Sequence, residues 1–193
     1  YMRQENKNNK IAIIGHTKGI GKAIADLYRR KKYEIIGLSR STGYDLATDQ
    51  EKIMEKLVDC ELIVVNAYAK FGQYHLLKRI YSEFHHHYKK VVVITSTSGT
   101  PQGKDEENYS ADYNEYCWHK EHLIKYISEL QEELFNKPLS VYDVCPDVVD
   151  TDMIKGLWEG LPKLKADEVA DTVRYCFESP FNINKIVMQK NVS

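Results

Sequence analysis

Residues 10–21 read KIAIIGHTKGIG: an apolar run ends in a turn with three glycines, which leads into a helical pattern. The amino end of a helix offers unpaired N–H groups and a partial positive charge, and glycines allow a phosphate to approach the backbone. A strand, a glycine turn and a helix in this order therefore predict a site for the pyrophosphate of a nucleotide.

Length and charge restrict the class of protein. The chain has 193 residues, 42% of them hydrophobic, and a formal net charge of −1. This length suits one sizeable core, so we expect a single domain over residues 1–193. The balanced charge gives no support for nucleic-acid binding. No apolar run approaches the ~20 residues that cross a bilayer, and the first ten residues lack the hydrophobic segment of a secretory signal, so we expect a cytoplasmic protein without membrane contact.

The cysteines and histidines do not indicate a metal site. The four cysteines are far apart and form no C-x-x-C pair, so we expect small buried residues. Three consecutive histidines, residues 85–87, point in different directions from a helix and cannot converge on one ion. A solvated surface is the favoured interpretation of this run, and no metal is expected.

Strand and helix signals alternate along the chain without an internal repeat, which predicts a doubly wound parallel α/β sheet. We expect seven strands, at residues 11–14, 34–38, 43–46, 62–65, 91–94, 140–145 and 185–189. Helices are expected at about residues 20–31, 49–58, 73–88, 113–136 and 166–178. The prediction is a three-layer α/β/α Rossmann fold.

The end of the second strand indicates which dinucleotide binds. Ser39 and Arg40 follow this strand, beside the expected position of the ribose that carries the adenine. A free 2′-hydroxyl is usually met there by an acidic side chain, and none is present. The Arg40 guanidinium suits a phosphate, and Lys18 in the glycine turn could approach the same group. NADP(H) is therefore predicted; the alternative is that both residues are ordinary surface cations.

Several polar side chains are placed for chemistry. Tyr116 and Lys120 are four residues apart in the predicted long helix, so they share one face and the ammonium can lie near the phenol oxygen. Asn66 and the hydroxyl residues 95–98 follow buried strands, at the edge where such sheets bind ligands. Tyr113 is a rival phenol, but it has no lysine four residues further on.

Taken together, the motifs resemble the short-chain dehydrogenase/reductase family over nearly the whole chain. Gly15, Gly19 and Gly21 match the family's G-x-x-x-G-x-G turn, and Tyr116 with Lys120 matches its Y-x-x-x-K. Ser96, with Gly99 three residues later, matches the catalytic serine, and Asp45 matches the acid that holds the adenine. Asn66 and Ala67 match the core of the N-N-A-G segment. Residues 146–153, PDVVDTDM, match P-G-x-x-x-T-x-M.

The resemblance implies hydride transfer between NADP(H) and a small-molecule carbonyl or alcohol. Tyr116 would exchange a proton with the substrate oxygen, Lys120 would favour the phenolate and hold the nicotinamide ribose, and Ser96 would orient the carbonyl. Implied cofactor contacts are Gly15, Thr17, Lys18, Gly19, Ile20, Gly21, Ser39, Arg40, Asp45, Leu46, Asn66, Ala67, Tyr116, Lys120, Pro146, Val149 and Thr151. Substrate contacts are expected from Ser98 and Trp158, although Trp158 fits a core or surface role equally well.

The chain departs from the family pattern in three places. No asparagine lies between Ala67 and Lys90 to complete the family's proton relay, and Gln73 or a water could take its place. Asp147 stands where the family has glycine. The segment between Ser96 and Tyr116 is longer than usual. These departures keep a second hypothesis open, a catalytically weak NAD(P)-binding sensor or scaffold.

Two further points follow from the resemblance. An epimerase or dehydratase acting on nucleotide sugars is disfavoured, because the C-terminal part of the chain is too small for a nucleotide-binding lobe. The family mostly forms dimers or tetramers through the helix that carries the tyrosine, which makes a homodimer or homotetramer the expected assembly. Glu121 and His122, however, stand where small residues are common in that interface.

Overall fold

The computed structural model describes residues 9–101, 111–156 and 159–191. Within these ranges six strands form one parallel sheet in the order β2-β1-β3-β4-β5-β6. The strands are β1 Lys10–Ile14, β2 Glu34–Leu38, β3 Leu62–Val65, β4 Lys90–Ile94, β5 Ser140–Pro146 and β6 Lys185–Met188. The helices are α1 Gly19–Arg30, α2 Gln50–Leu57, α3 Gly72–Phe84, α4 Ala111–Glu133 and α5 Ala166–Glu178.

The sheet separates two hydrophobic cores. Alternate residues of the central strands face α1 and α5 on one side and α2, α3 and α4 on the other. Because both faces are covered, β1, β3 and β4 have to be apolar at nearly every position. The doubly wound α/β fold predicted from the sequence is confirmed.

The prediction of a strand at residues 43–46 is wrong. Arg40–Thr42 forms one 3-10 turn, which Gly43 closes with a φ of +85°. The Asp45 N–H donates to Asp49 Oδ2, and the Ala47 N–H donates to Asp45 Oδ1, each at 2.8 Å. Since nearby carboxylates take these backbone donors, the segment forms turns instead of a seventh strand.

Helix α3 is shorter than expected, since it ends at Phe84 and not near residue 88. After a tight turn, the buried Lys89 reaches the carboxyl end of α2, where its Nζ donates to the carbonyls of Leu57, Val58 and Cys60 at 2.7–3.0 Å. These carbonyls belong to the last turn of α2 and the residues after it, so the ammonium satisfies acceptors that a helix end leaves open.

The remaining expectations concern cysteines and membrane contact. Cys60, Cys117, Cys145 and Cys176 are all buried, and none of them is in a disulfide. In the described part of the chain, no helix combines the length and the hydropathy needed to cross a membrane.

Candidate active site

The glycine turn brings the start of α1 tightly against the ends of β1 and β3. Gly15 has a φ of +91°, and a Cβ on it would lie 2.8 Å from the Cβ of Ala67. A Cβ on Gly21 would overlap the Gly15 carbonyl. At the amino end of α1, the N-cap residue Lys18 makes no side-chain cap and the first turn holds no acid. The N–H groups there are therefore suited to an anionic group.

Asn66 stabilises this turn from the neighbouring strand. Its Nδ2 donates to the Gly15 carbonyl at 3.0 Å, and the N–H groups of Asn66 and Ala67 both donate to the Ile14 carbonyl. The amide predicted to contact the cofactor therefore faces the backbone of the glycine turn. Of the other turn residues, Thr17 is exposed and Ile20 packs, half-buried, against the core beside α1.

The end of β2 contains a contact that the sequence did not indicate. The Ser39 Oγ accepts the His16 N–H at 2.9 Å and lies 2.8 Å from His16 Nδ1. The imidazole covers Gly37, where a Cβ would overlap the ring. Burial, with a smaller contribution from Arg29, lowers the pKa of His16 and favours the neutral ring. Ser39 thus stabilises the loop after β1 through His16. In the sequence, the only sign of this contact is the glycine at position 37, which leaves room for the imidazole.

The two predicted phosphate-binding cations project from neighbouring strand ends. Lys18 follows β1 and Arg40 follows β2, with Ile14 paired opposite Leu38, and both side chains are exposed. Asp45 turns Oδ1 towards the Ala47 N–H, and Leu46 is buried against Gly72. Of the residues predicted around the adenine, Leu46 therefore has a core position.

Ser96 and Tyr116 meet above the end of β4. Ser96 caps the 3-10 turn Thr97–Gly99, where its Oγ accepts the Ser98 N–H at 3.2 Å. This turn packs closely on α4, because a Cβ on Gly99 would lie 2.6–2.7 Å from the backbone of Lys120 and Glu121. Burial raises the pKa of Tyr116 to about 12, and a hydrogen bond with Ser96 opposes that rise. The phenol therefore holds its proton at neutral pH.

Lys120 lies beneath the phenol, almost without solvent contact. Its Nζ donates to Gln73 Oε1 at 2.7 Å and to the Ile94 carbonyl at 3.1 Å, and it lies 5.6 Å from the centre of the Tyr116 ring. Burial lowers the pKa of Lys120 to about 8, although the Asp143 carboxylate opposes this shift. The lysine is therefore mainly charged at neutral pH, and its charge is sensitive to small changes around it.

Tyr68 and Tyr113 flank the phenol of Tyr116. The Tyr68 ring meets it edge-on with the ring centres 4.8 Å apart, and the Tyr113 ring stacks on it at 6.2 Å. The Tyr68 hydroxyl lies 2.9 Å from Nδ1 of the buried His119. The Tyr113 hydroxyl lies 2.9 Å from Oγ of Ser98, so Ser98 is paired within this aromatic wall. No motif of the sequence includes Tyr68, whose only signal is its position directly after Asn66 and Ala67.

The segment after β5 closes the site against the glycine turn. Pro146 ends the strand, and Asp147 Oδ1 accepts a hydrogen bond from Thr97 Oγ1 at 2.9 Å. Asp147 thereby links the turns that follow β4 and β5. A Cβ on Gly19 would lie 3.1 Å from Thr151 Cγ2, which brings this segment to the first turn of α1. Val149 is buried in a bridge with Leu164, and Trp158 lies outside the described residues.

By sequence, no protein-family model and no curated protein matches the chain. Solved structures are similar in fold. A 3-alpha-hydroxysteroid dehydrogenase from Pseudomonas sp. B-0831, complexed with NADH, is 18% identical, with a TM-score of 0.74 over 93% of this chain and 94% of that one. A short-chain dehydrogenase/reductase from Vibrio parahaemolyticus is 19% identical, with a TM-score of 0.73 over 92% and 98%.

A third structure, a short chain dehydrogenase from Burkholderia cenocepacia in complex with NADP, is 13% identical, with a TM-score of 0.75 over 94% of this chain and 88% of that one. These neighbours include one complex with NADH and one with NADP. The similarity extends along almost the full length in each case, as the motifs had indicated. The chain thus has the fold of the short-chain dehydrogenase/reductases.

Proposed function

We propose that this chain is an NADP(H)-dependent oxidoreductase of the short-chain dehydrogenase/reductase family, which acts on a small-molecule carbonyl or alcohol. The observation that carries the proposal is the convergence of Ser96, Tyr116 and Lys120 at the carboxyl end of β4. The proposal includes a single NAD(P)-binding domain over residues 1–193, with its catalytic site inside it, and a cytoplasmic location.

The residues of the chain have separate roles in the proposed reduction. The cofactor supplies the hydride when it is bound. Ser96 donates a hydrogen bond that orients the substrate carbonyl, and Tyr116 gives its proton to the oxygen that becomes an alkoxide. The phenolate that remains is stabilised by the ammonium of Lys120 beneath the ring. Oxidation of an alcohol would use the same groups in reverse.

The charges around the end of β2 support NADP(H) over NAD(H). Arg40 and Lys18 are exposed cations that follow adjacent strands. Asp45, the acid that comes next in the chain, directs one oxygen to the Ala47 N–H. A 2′-phosphate would meet two cations here, which favours phosphate binding through charge-assisted hydrogen bonds.

The outer surface of α4 supports the proposed homodimer or homotetramer. Trp118 is 49% exposed there. Its ring centre lies 5.0 Å from that of Phe71 and 4.7 Å from that of His122. Such aromatic residues are enriched at protein interfaces. Sedimentation equilibrium of the wild type and of Trp118→Ser tests this part, because loss of association in the variant is expected.

Replacing Tyr116 by Phe tests the proposed reaction. Turnover of a panel of aldehydes and ketones with NADPH should fall at least about a thousandfold, because the proton donor is lost. The dissociation constant of NADPH should change little, and Tyr126→Phe, on the same helix but packed against Tyr74 away from the site, is the matched control. Retained turnover in Tyr116→Phe would reject the assignment. Tight NADPH binding by a wild type that turns over no substrate would favour the sensor or scaffold instead.

A further inference from the structure

We infer that Gln73 is a positioning residue, whose side-chain amide holds the Lys120 ammonium beneath Tyr116 so that the lysine stays charged behind the proton donor. The inference rests on the proposed function, because it assigns a residue to that site. Gln73 is 1% exposed and lies in the first turn of α3. A polar side chain buried this deeply has to make its hydrogen bonds within the protein.

The orientation of the Gln73 amide is fixed by the sheet. The ladder between β3 and β4 ends with the pair Val65 and Val93. Beyond that pair, Gln73 Nε2 donates to the carbonyls of Val65 and Ile94, each at 3.1 Å. Carbonyl oxygens only accept, so the NH₂ group has to face them and Oε1 has to point the other way.

Oε1 in this orientation meets the Lys120 ammonium at 2.7 Å. Nζ has three N–H donors, and the described residues take two of them, through Gln73 Oε1 and the Ile94 carbonyl. Both acceptors belong to the same small network at the ends of β3 and β4. The position of the ammonium is therefore set by the amide of Gln73, and one donor is left for a ligand.

Other groups face Lys120 without making this direct bond. Tyr116 lies on α4 and Tyr68 follows β3, with ring centres 5.6 and 5.8 Å from Nζ. Asp143 and Cys145 lie on β5, and both favour the charged form of the lysine through longer-range interaction. Of these groups, Asp143 is itself committed to Thr95 and to Lys185. Gln73 is therefore the side chain whose removal should change the charge of Lys120 most directly.

Two substitutions test the acceptor, since one removes it and the other keeps it. Gln73→Met has a similar length but no acceptor, so the ammonium loses a hydrogen bond and the pKa of Lys120 falls further. Gln73→Glu keeps an oxygen that accepts from the ammonium, but its other oxygen takes the place of Nε2 and needs a proton to donate to the carbonyls of Val65 and Ile94, so the pKa of Lys120 should not fall. Gln131→Met is the matched control. The Gln131 Nε2 also bridges two carbonyls, those of Val141 and Asn184, but far from the site.

The readout is the pH dependence of kcat/KM for carbonyl reduction, which should decline as Lys120 loses its proton. The midpoint of that decline should move down by about one unit or more in Gln73→Met, so that the rate falls about tenfold in the affected range. It should not move down in Gln73→Glu, which keeps an acceptor, and it should stay in place in Gln131→Met. An unmoved midpoint in Gln73→Met would overturn the inference, and Gln73→Leu, a second substitution without an acceptor, decides it if the Met variant does not fold.

A second measurement needs no turnover. The pKa of Lys120 is about 8 in the folded chain and ~10.4 in the unfolded one, so only the unfolded chain binds the proton between these values. The contribution of Lys120 to stability should therefore rise with pH through that window and be constant below it, while the buried thiols, whose pKa values burial raises, contribute in the opposite sense. Compared with the wild type, Gln73→Met should extend the Lys120 contribution to lower pH, and Gln131→Met should not. If the protein shows no turnover but the pH dependence of stability shifts in Gln73→Met, the proposed reaction is rejected, while the contact of Gln73 with Lys120 is still supported. If the pH dependence of stability does not shift, the role of Gln73 is contradicted.

Discussion

Raising the pH past the pKa of Lys120 should switch off carbonyl reduction while Tyr116 still carries its proton. Burial places these pKa values at about 8 for the lysine and about 12 for the tyrosine. The ammonium is then about nine-tenths populated near pH 7 and about one-tenth populated near pH 9. Because the phenolate that forms during reduction needs the neighbouring charge in a buried site, kcat/KM should fall about tenfold over this interval.

The assay is the initial rate of NADPH oxidation with a carbonyl substrate, measured from about pH 6 to about pH 10. Enzyme kept near pH 9 and returned to pH 7 should recover its full rate, which excludes unfolding as the cause. A rate that is constant up to pH 10, or that rises between pH 7 and pH 9, would refute the reasoning. Either result would mean that the Lys120 charge does not stabilise the phenolate of Tyr116.

Two further predictions concern cofactor choice and stability. Arg40→Ala should weaken NADPH binding about tenfold and leave NADH binding unchanged, because one charge-assisted hydrogen bond is lost. Isothermal titration calorimetry measures both dissociation constants, with Arg30→Ala as the control. An unchanged preference for NADPH over NADH would contradict the proposed role of Arg40 in phosphate binding. Lys89→Met should lower the free energy of unfolding by about 2–4 kcal/mol, since the carbonyls at the end of α2 lose their donor. Urea denaturation measures this free energy, and the control variant Lys56→Met should leave it almost unchanged. A decrease below about 1 kcal/mol in Lys89→Met would contradict the capping role of Lys89.

The local patterns of the sequence were sufficient for the class of fold. Residues 11–14, 62–65 and 91–94 are continuous apolar runs because helices cover both faces of the sheet, and all three are strands. Residues 43–46, where a very short strand is expected, form no strand but turns. The difference lies in Asp45 and Asp49, whose carboxylates accept backbone N–H groups that a strand would have used.

Features that depend on neighbours in the chain could be predicted from the residues alone: the glycine turn, the long helix that carries Tyr116 and Lys120 four residues apart, and the hydroxyl cluster after β4. Which residues surround these features depends on the folded chain. Gln73 meets Lys120 across 47 positions and His16 meets Ser39 across 23, so no local spacing could reveal either contact.

Burial also decided the charges at the candidate site. From the spacing alone, the lysine is expected to lower the pKa of Tyr116, whereas in the folded chain burial raises it to about 12 and lowers that of Lys120 to about 8. Desolvation disfavours whichever form is charged, and its size depends on how much of the protein covers each group. That quantity exists only after the helices have packed on the sheet, which is why the tertiary structure had to supply it.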